Sequence, residues 1–337
     1  MTTVSALVTD PSGGVLLVRA PDGGRWALPS GPVLPGAAPR ESCVRCVTAA
    51  TGLVPKLGAP LVTGWYGDGR AGARATRLVF DGGRISASAV PRVRGLRAVP
   101  PEVRFVPPAE LPSVAGAAEA SVAEAALAAR AGGRTAYLED GRPPRVLELM
   151  TTYGIVPWVH SGSAWVWHPE PVPTEVPIRQ SWVWVFAPDG RVVLYVDTAG
   201  HIGLPGGTLE PFEHRDPVAA AVREVREETQ ISITPPRYLG YLLDHPPGGG
   251  PVARVRMAAA ITAVGPVAPD PATGTVHRRL LVPPQLIAEV CGWGPGADAQ
   301  TAAAIRAGRA LGVAEPDPEA PVTELPAGGV SGQPASI

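Results

Sequence analysis

Residues 206–233 read GGTLEPFEHRDPVAAAVREVREETQISI, and this stretch decides how the rest of the chain is interpreted. Asp216 and Pro217 predict the start of a helix, because aspartate caps free N–H groups and proline suits a first turn. The residues from Pro217 to Thr229 are mostly good helix formers, and their three valines share one face. We therefore expect an amphipathic helix that follows a glycine loop.

The face of this helix opposite the valines is acidic, because it carries Glu224, Glu227 and Glu228. Three carboxylates within about one turn repel each other unless a positive charge neutralises them. Mg²⁺ commonly binds a few carboxylates together with substrate phosphates. A solvated acidic face, balanced by Arg223 and Arg226, is the alternative. The upstream glycine loop and the cap favour the metal site.

The segment resembles the Nudix box, whose pattern is G-x5-E-x7-R-E-U-x-E-E-x-G-U with U an aliphatic residue. The flanking strands and a closing helix also fit, so the resemblance covers the whole second half of the chain. The matching residues, in order along the box, are Gly207, Glu213, Arg223, Glu224, Val225, Glu227, Glu228 and Ile231.

The resemblance implies a role for each matched residue. Metal ligands are implied at Glu224, Glu227 and Glu228, with a further ligand from the carbonyl of Gly207. The catalytic residues implied are Glu227, as the choice for general base, together with Glu224, Arg223 and Glu213. The implied cofactor is Mg²⁺, with Mn²⁺ as the alternative. Arg179 and Arg279 are the candidates for binding substrate phosphates.

The box departs from the family pattern in two places. Nine residues rather than seven separate Glu213 from Arg223, so the loop before the helix carries an insertion. Gln230 replaces the glycine that normally ends the helix with a positive φ, which other residues adopt reluctantly. We therefore expect a different helix exit at Gln230 and an altered role for Glu213.

An internal repeat predicts two copies of one domain. Residues 15–31 resemble residues 192–207, residues 104–111 resemble residues 279–286, and each half ends in an alanine-rich helical pattern. The predicted fold class is α/β, as two tandem Nudix-like α/β/α sandwiches with mixed β-sheets.

The first copy keeps the loop glycine and the box arginine but has lost the acids. Gly31 and Arg45 are retained, whereas Cys46, Ala49 and Ala50 stand at the three carboxylate positions. A helix without oxygen ligands cannot bind Mg²⁺ in this way. We expect this copy to be inactive, with a structural role such as an intramolecular pseudo-dimer.

Four segments are predicted from these patterns: residues 1–134 as the degenerate domain, 135–176 as a tryptophan- and proline-rich connection, 177–312 as the catalytic domain, and 313–337 as a disordered tail. Within the connection, PRVLELMTTYG predicts a short helix and SAWVWH a strand.

The predicted function is Mg²⁺-dependent hydrolysis of a phosphoanhydride bond in a nucleoside diphosphate linked to another moiety, or in a similar small diphosphate. The alternatives are a non-catalytic nucleotide or nucleotide-sugar sensor, and a diphosphate hydrolase or prenyl-diphosphate isomerase-like enzyme of specialised metabolism. The predicted partner is a small-molecule diphosphate, and a homodimer is an alternative to the pseudo-dimer.

Composition bounds the location and the partners. The 337 residues carry a net charge of -1, which gives no electrostatic reason for nucleic-acid or membrane binding. No apolar run reaches the roughly 18 residues that a bilayer span requires, and the N-terminus lacks a signal pattern. Three cysteines argue against a disulfide framework. A cytoplasmic location is the expectation.

Overall fold

The computed structural model describes residues 1–19, 24–67, 74–86, 102–158, 166–246, 248–294 and 297–328. The chain divides into two compact units, Met1–Arg145 and Val146–Ile337. Each unit contains its own mixed β-sheet and helices, as the sequence predicts.

The first unit contains one eight-stranded sheet and three described α-helices. The strands are Thr2–Thr9 (β1), Val15–Arg19 (β2), Trp26–Ala27 (β3), Ser30–Pro32 (β4), Pro60–Gly67 (β5), Arg74–Arg84 (β6), Glu102–Val106 (β7) and Ala136–Glu139 (β8). The helices are Pro39–Thr51 (α1), Leu111–Ala115 (α2) and Ala117–Gly132 (α3).

The second unit has the same kinds of element. The helices are Arg145–Tyr153 (α4), Pro217–Thr229 (α5), Pro284–Val290 (α6) and Ala297–Ala310 (α7). The strands are Val166–His168 (β9), Ile178–Phe186 (β10), Val192–Val196 (β11), Ile202–Gly203 (β12), Gly206–Thr208 (β13), Ile231–Ile233 (β14), Arg237–Asp244 (β15), Val252–Val264 (β16), Arg278–Val282 (β17) and Thr323–Glu324 (β18). Across the described residues, the helices lack the length and apolar character that crossing a membrane requires.

The two sheets share one strand order. In the first unit the neighbours run β7-β2-β1-β6-β5, and in the second they run β17-β11-β10-β16-β15. The central pair is parallel in both units, β1 with β6 and β10 with β16, and its neighbours are antiparallel. The repeat in the sequence is therefore a repeat of topology.

Alternating side chains on β10 explain why helices cover both faces of the second sheet. Val183 faces a core that includes Val225 of α5. Trp184, the next residue, faces a separate core that includes Ala304 of α7. Both strand residues are fully buried, so the sheet lies between two apolar layers. This packing fixes the acidic helix α5 against one face.

The first unit is layered in the same way around β1. Leu7 belongs to a core shared with Ala123 of α3, whereas Val4 belongs to one shared with Val47 of α1. The degenerate copy thus keeps the sandwich architecture although its acids are gone.

The connecting segment predicted at residues 135–176 is divided between the two units. Strand β8 pairs in parallel with β5 of the first sheet, and β9 pairs antiparallel with β15 of the second. Helix α4 and strand β9 lie where the short helix and the strand were predicted. Each part of the segment thus extends the sheet of its own unit. Trp165 lies outside the described residues.

The tail predicted to be disordered from residue 313 is ordered in part, so that prediction was wrong for residues 313–328. Strand β18 pairs with β17, and Leu325 is only 3% exposed. Arg279 also donates a hydrogen bond to the carbonyl of Pro326 at 2.6 Å. The tail has too little apolar periodicity to reveal this docking, which depends on one leucine and an open strand edge. Residues 329–337 lie outside the described part of the chain.

The exit of α5 differs from the expectation at Gln230. This residue adopts the left-handed conformation with φ 54°, close to the φ 68° of Gly52 at the end of α1. Its side-chain amide donates to the carbonyl of Glu227 at 2.8 Å. The usual helix exit is therefore kept without the glycine, at the cost of backbone strain that this hydrogen bond partly offsets.

We predict that Gln230→Gly stabilises the protein by about 1 kcal/mol, because glycine adopts positive φ without steric cost. Chemical denaturation of the metal-free protein measures the change. Gln230→Ala is the matched control, and we expect it to destabilise, since it keeps the strain and loses the hydrogen bond to Glu227. Equal stability of the glycine and alanine variants would contradict the argument.

Candidate active site

Helix α5 begins and ends where the sequence predicts. The Asp216 carboxylate accepts a hydrogen bond from the backbone N–H of Val218 at 2.8 Å, and Pro217 occupies the first turn. The helix runs over Pro217–Thr229. Its acidic face is therefore set in a fixed rotation, with Glu224 and Glu228 one turn apart.

The glycine loop of β13 leaves space for these acids. A Cβ added to Gly207 would lie 2.3 Å from Oε1 of Glu224, so a side chain at that position would displace the carboxylate. Gly206 has φ 151°, and a Cβ there would lie 2.3 Å from the carbonyl oxygen of Ser181. The loop glycines are thus required by the close approach of the helix and of β10.

Glu228 is the most buried of the three acids on the helix, at 8% exposure. Its Oε2 accepts a hydrogen bond from the backbone N–H of Gly206 at 2.8 Å. Burial raises the pKa of Glu228 to about 9; the Gly206 N–H opposes this shift, and the charges of Glu224 and Asp270 add to it. Burial also raises the pKa of Glu224, which Arg223 counteracts. In the absence of a cation, Glu228 therefore retains its proton at neutral pH.

Arg223 joins the remaining acids of the site. Its Nε donates to Glu213 at 2.7 Å, and its Nη1 donates to Glu227 at 2.9 Å. Its Nη2 lies 3.0 Å from Oε1 of Glu224 and donates to the carbonyl of Thr208 at 3.1 Å. Burial lowers the pKa of Arg223, but these bonds and charges outweigh it and raise the pKa overall. The guanidinium holds three carboxylates in fixed orientations.

Glu213 supports the loop before the helix. It is 6% exposed and ends a short 3-10 turn, Pro211–Glu213, where its carboxylate accepts from the backbone N–H of Glu210 at 2.7 Å. His214 and Arg215, both with positive φ, then lead the longer loop into the helix. With one oxygen bound to Arg223 and the other to the loop, Glu213 positions its neighbours rather than facing substrate.

Two further residues belong to the site and were missed in the sequence. Asp270 and His277 lie in the loop between β16 and β17, and their ligand atoms and that of Glu228 lie within 4.8 Å of one another. Asp270 is 6% exposed and accepts hydrogen bonds from the backbone N–H groups of Ala272 and Thr273. An isolated acid and histidine in a proline-rich loop carry no periodicity or motif that signals this position.

One ring nitrogen of His277 has no hydrogen-bond partner among the described residues. Nε2 lies 3.1 Å from the hydroxyl of Thr275, whereas the buried Nδ1 has no hydrogen-bond partner among the described residues. Its ring stacks on Tyr195 with centroids 5.1 Å apart, which holds it in place. A buried nitrogen without a partner is costly, and a bound cation would supply one.

The donor set fits a hard divalent cation. Glu228 and Asp270 offer carboxylate oxygens and His277 an imidazole nitrogen, a combination that suits Mn²⁺ and, through the oxygens, Mg²⁺. The predicted trio is divided in this structure, with Glu224 and Glu227 against Arg223 and Glu228 against the loop residues. The charge of Asp270 also raises the pKa of Glu224, so Glu224 lies near both groups.

The two predicted substrate arginines have different environments. Arg279 is 1% exposed and donates to the carbonyls of Thr229, Gly265 and Pro326. It therefore anchors the end of α5 to the tail, and its assignment to substrate phosphates was wrong. Arg179 is exposed at the start of β10, and its backbone carbonyl accepts from Leu209 N–H in the glycine loop at 3.0 Å.

The first copy has a cysteine where the second has its central acid. A Cβ added to Gly31 would lie 2.2 Å from the sulfur of Cys46, as one added to Gly207 would meet Glu224. Cys46 therefore occupies the place of Glu224. Nothing in the first copy's helix replaces the lost oxygen ligands, because the other two positions are Ala49 and Ala50.

The comparison with family profiles agrees with this architecture. The NUDIX domain profile matches residues 1–125 and 177–311. Among solved structures, the MutT protein from Methanosarcina mazei Go1 is 20% identical, covering 40% of this chain and 96% of that chain with TM-score 0.31. A pyrophosphohydrolase from Bacillus subtilis is 21% identical (34% and 68% covered, TM-score 0.28), and a UDP-X diphosphatase is 20% identical (41% and 66% covered, TM-score 0.30). No curated protein matches the chain.

The fold and the site define a tandem α/β protein with a carboxylate-rich helix beside a glycine loop. Since the domain profile covers most of the chain in two segments, the chain belongs to the Nudix family. It is a Nudix-type hydrolase, the class that the sequence predicts.

We predict that Glu228→Gln stabilises the metal-free protein, and more so as pH rises from 5 to 9. The folded-state pKa of Glu228 is about 9, against an ordinary value of 4.5. A carboxyl with a raised folded pKa contributes stability that is complete below the unfolded pKa and is lost as pH rises toward the folded pKa. Glutamine does not ionise and escapes this loss.

Thermal denaturation in EDTA at pH 5, 7 and 9 measures the difference. Glu41→Gln, an exposed change in α1 of the first copy, is the control and should follow the wild type at every pH. A constant difference between Glu228→Gln and wild type across this range would contradict the raised pKa.

Proposed function

We propose that the second copy, with Mg²⁺ or Mn²⁺, hydrolyses a phosphoanhydride bond in a nucleoside diphosphate linked to another moiety, or in a similar small diphosphate. The observation that carries this proposal is that two clusters of acidic side chains lie beside the same glycine loop. Arg223 holds Glu224 and Glu227 on one side, and Glu228 meets Asp270 and His277 on the other.

The chain's residues divide the work in the proposed reaction. A divalent cation would be held by Glu224, Glu228, Asp270 and His277, together with the predicted carbonyl of Gly207. When bound, such a cation neutralises the diphosphate and polarises the attacked phosphorus. Arg223 keeps the acids in orientation through its four contacts. It is a positioning residue, because its donors are directed at protein oxygens.

Glu227 is the proposed general base. Its side chain is 25% exposed, against 15% for Glu224, so it reaches water more easily than the other acids held by Arg223. Its bond to Arg223 fixes the direction of one oxygen and leaves the other available. A positioned carboxylate can take a proton from an attacking water in a cleft of this kind.

Arg179 is proposed to bind a substrate phosphate. It is exposed at the start of β10, directly beside the glycine loop, and no other described group is bonded to its side chain. An arginine at this position could donate hydrogen bonds to a phosphate of a diphosphate that is bound at the metal and reaches toward β10.

The first copy is proposed to be structural rather than catalytic. Cys46, Ala49 and Ala50 replace the acids, and burial raises the pKa of the neighbouring Cys43 to about 12, so that thiol stays protonated and inert. The architecture is kept without the chemistry, which suits a role in stability or in assembly with the second copy.

We predict that the wild-type protein releases phosphate-containing products from nucleotide-sugars or dinucleotides only when Mg²⁺ or Mn²⁺ is present, and that EDTA abolishes turnover. Glu228→Gln should lower kcat by about a thousandfold, because it removes a metal ligand without changing the shape of the residue. Product formation by chromatography measures both effects.

Glu41→Gln again provides the control, since it changes an acid on the corresponding helix of the first copy and should leave kcat unchanged. Near-wild-type turnover in Glu228→Gln would overturn the assignment of the site. Tight nucleotide binding without turnover in any metal would instead identify a sensor.

A further inference from the structure

A cavity of about 660 Å³ lies within the second unit, on the tryptophan side of the sheet. Its walls include Trp158, Trp182, Trp293, Tyr195, Arg254 and Arg256. This size and this mixture of aromatic and charged side chains are typical of a small-molecule site.

The cavity adjoins the proposed metal group through Tyr195. One face of the Tyr195 ring stacks on His277, and Tyr195 lies close enough to Glu228 for the two side chains to shift each other's pKa. Trp182, on the same wall, pairs in register with Gly206 of the glycine loop. A molecule whose diphosphate lies at the metal group would therefore place its organic part in this cavity.

Arg256 is a buried cation on the cavity wall without a countercharge. It is 4% exposed, its Nε donates to Gln300 at 2.7 Å, and no ion pair joins it to a carboxylate among the described residues. Arg254, by contrast, is neutralised by Asp244 at 2.6 Å. Glu289 also borders the cavity but is exposed and forms no ion pair with Arg256.

The surroundings of Arg256 prepare it for an anion. Its guanidinium lies 5.8 Å from the ring centroid of Trp182 and 6.0 Å from that of Trp293, so aromatic faces orient it without neutralising its charge. The nearby thiol of Cys291 is uncharged at neutral pH, because burial raises its pKa to about 12. A buried charge of this kind normally has a partner.

The fold itself does not require an arginine at this position. In the first unit, Val4 of β1 pairs with Gly31 on one side and with Leu78 of β6 on the other. In the second unit, Ser181 of β10 pairs in the same way with Gly207 and with Val255 of β16. The residue that follows Leu78 on β6 is Val79, and the residue that follows Val255 on β16 is Arg256. Val79 is fully buried in an apolar core. Arg256 is therefore a feature of the second copy's cavity rather than of the architecture.

We propose that the cavity binds the organic part of the substrate and that Arg256 binds a second anionic group, a phosphate monoester or a carboxylate, carried on that part. This inference rests on the proposed hydrolysis and narrows its substrate class to diphosphates with an additional acidic group. The ligand supplies the charge that the described protein residues do not.

Two pairs of probes, each differing by one anion, test the proposal by equilibrium binding. ADP-ribose and its 2′-phosphate form the phosphate pair, and UDP-glucose and UDP-glucuronate form the carboxylate pair. Calorimetry with Ca²⁺ in place of Mg²⁺ keeps a divalent cation for the diphosphate. Chromatography of each mixture checks that no probe is hydrolysed during the titration. We expect the anionic member of one pair to bind at least about tenfold more tightly.

Arg256→Val, which copies the residue at Val79, should remove that preference, so that the two members of the pair bind with Kd values within about twofold of each other. Arg256→Lys keeps the positive charge and should retain part of the preference. This variant separates the loss of the charge from a general loss of structure in Arg256→Val. Arg306→Gln, an exposed change on α7, is the matched control and should bind like wild type.

The outcome also identifies the chemistry, because only the pair that matches the native anion should respond. Equal binding within both pairs, binding of none of the probes, or a preference that survives in Arg256→Val would overturn the inference. Metal-dependent hydrolysis by the wild type would still stand in those cases, so the two proposals fail separately.

Discussion

The site depends on one arginine that balances the negative charge of its own helix. Glu224, Glu227 and Glu228 lie within about one turn, a spacing at which like charges destabilise a helix. Arg223 contacts the first two and also Glu213 from the preceding loop. Its planar fork suits this task, because each nitrogen donates in a fixed direction. The acids are thereby held apart before any cation arrives.

The same interaction links the loop to the helix. Glu213 reaches Arg223 only because the segment before Asp216 folds into a short turn, and Glu224 reaches its position only because Gly207 lacks a side chain. Packing against the sheet then fixes the helix rotation through Val225. Electrostatics, backbone freedom and apolar packing therefore act on one group of residues.

Local features of the site could be predicted from the sequence, whereas long-range ones could not. The cap at Asp216 and the length of α5 follow from propensity and spacing, and the structure confirms them. Asp270 and His277 lie more than 40 residues beyond Glu228 in a loop without periodicity, so only the folded chain brings them together. Arg279 was misassigned because an arginine in a strand gives no local sign of whether it will be buried among carbonyls. Gln230 kept a glycine conformation because its own side chain could bond back to the helix.

The docked tail has a practical meaning for anyone who isolates the second domain. A fragment cut at residue 311, where the domain profile ends, would lose the strand Thr323–Glu324 and leave the edge of β17 bare. It would also strip Arg279 of the Pro326 carbonyl, leaving a guanidinium in the interior with fewer acceptors. Open strand edges invite association between molecules. A fragment that stays monomeric should therefore extend to about residue 328. The residues between 313 and 328 are then an integral part of the second domain.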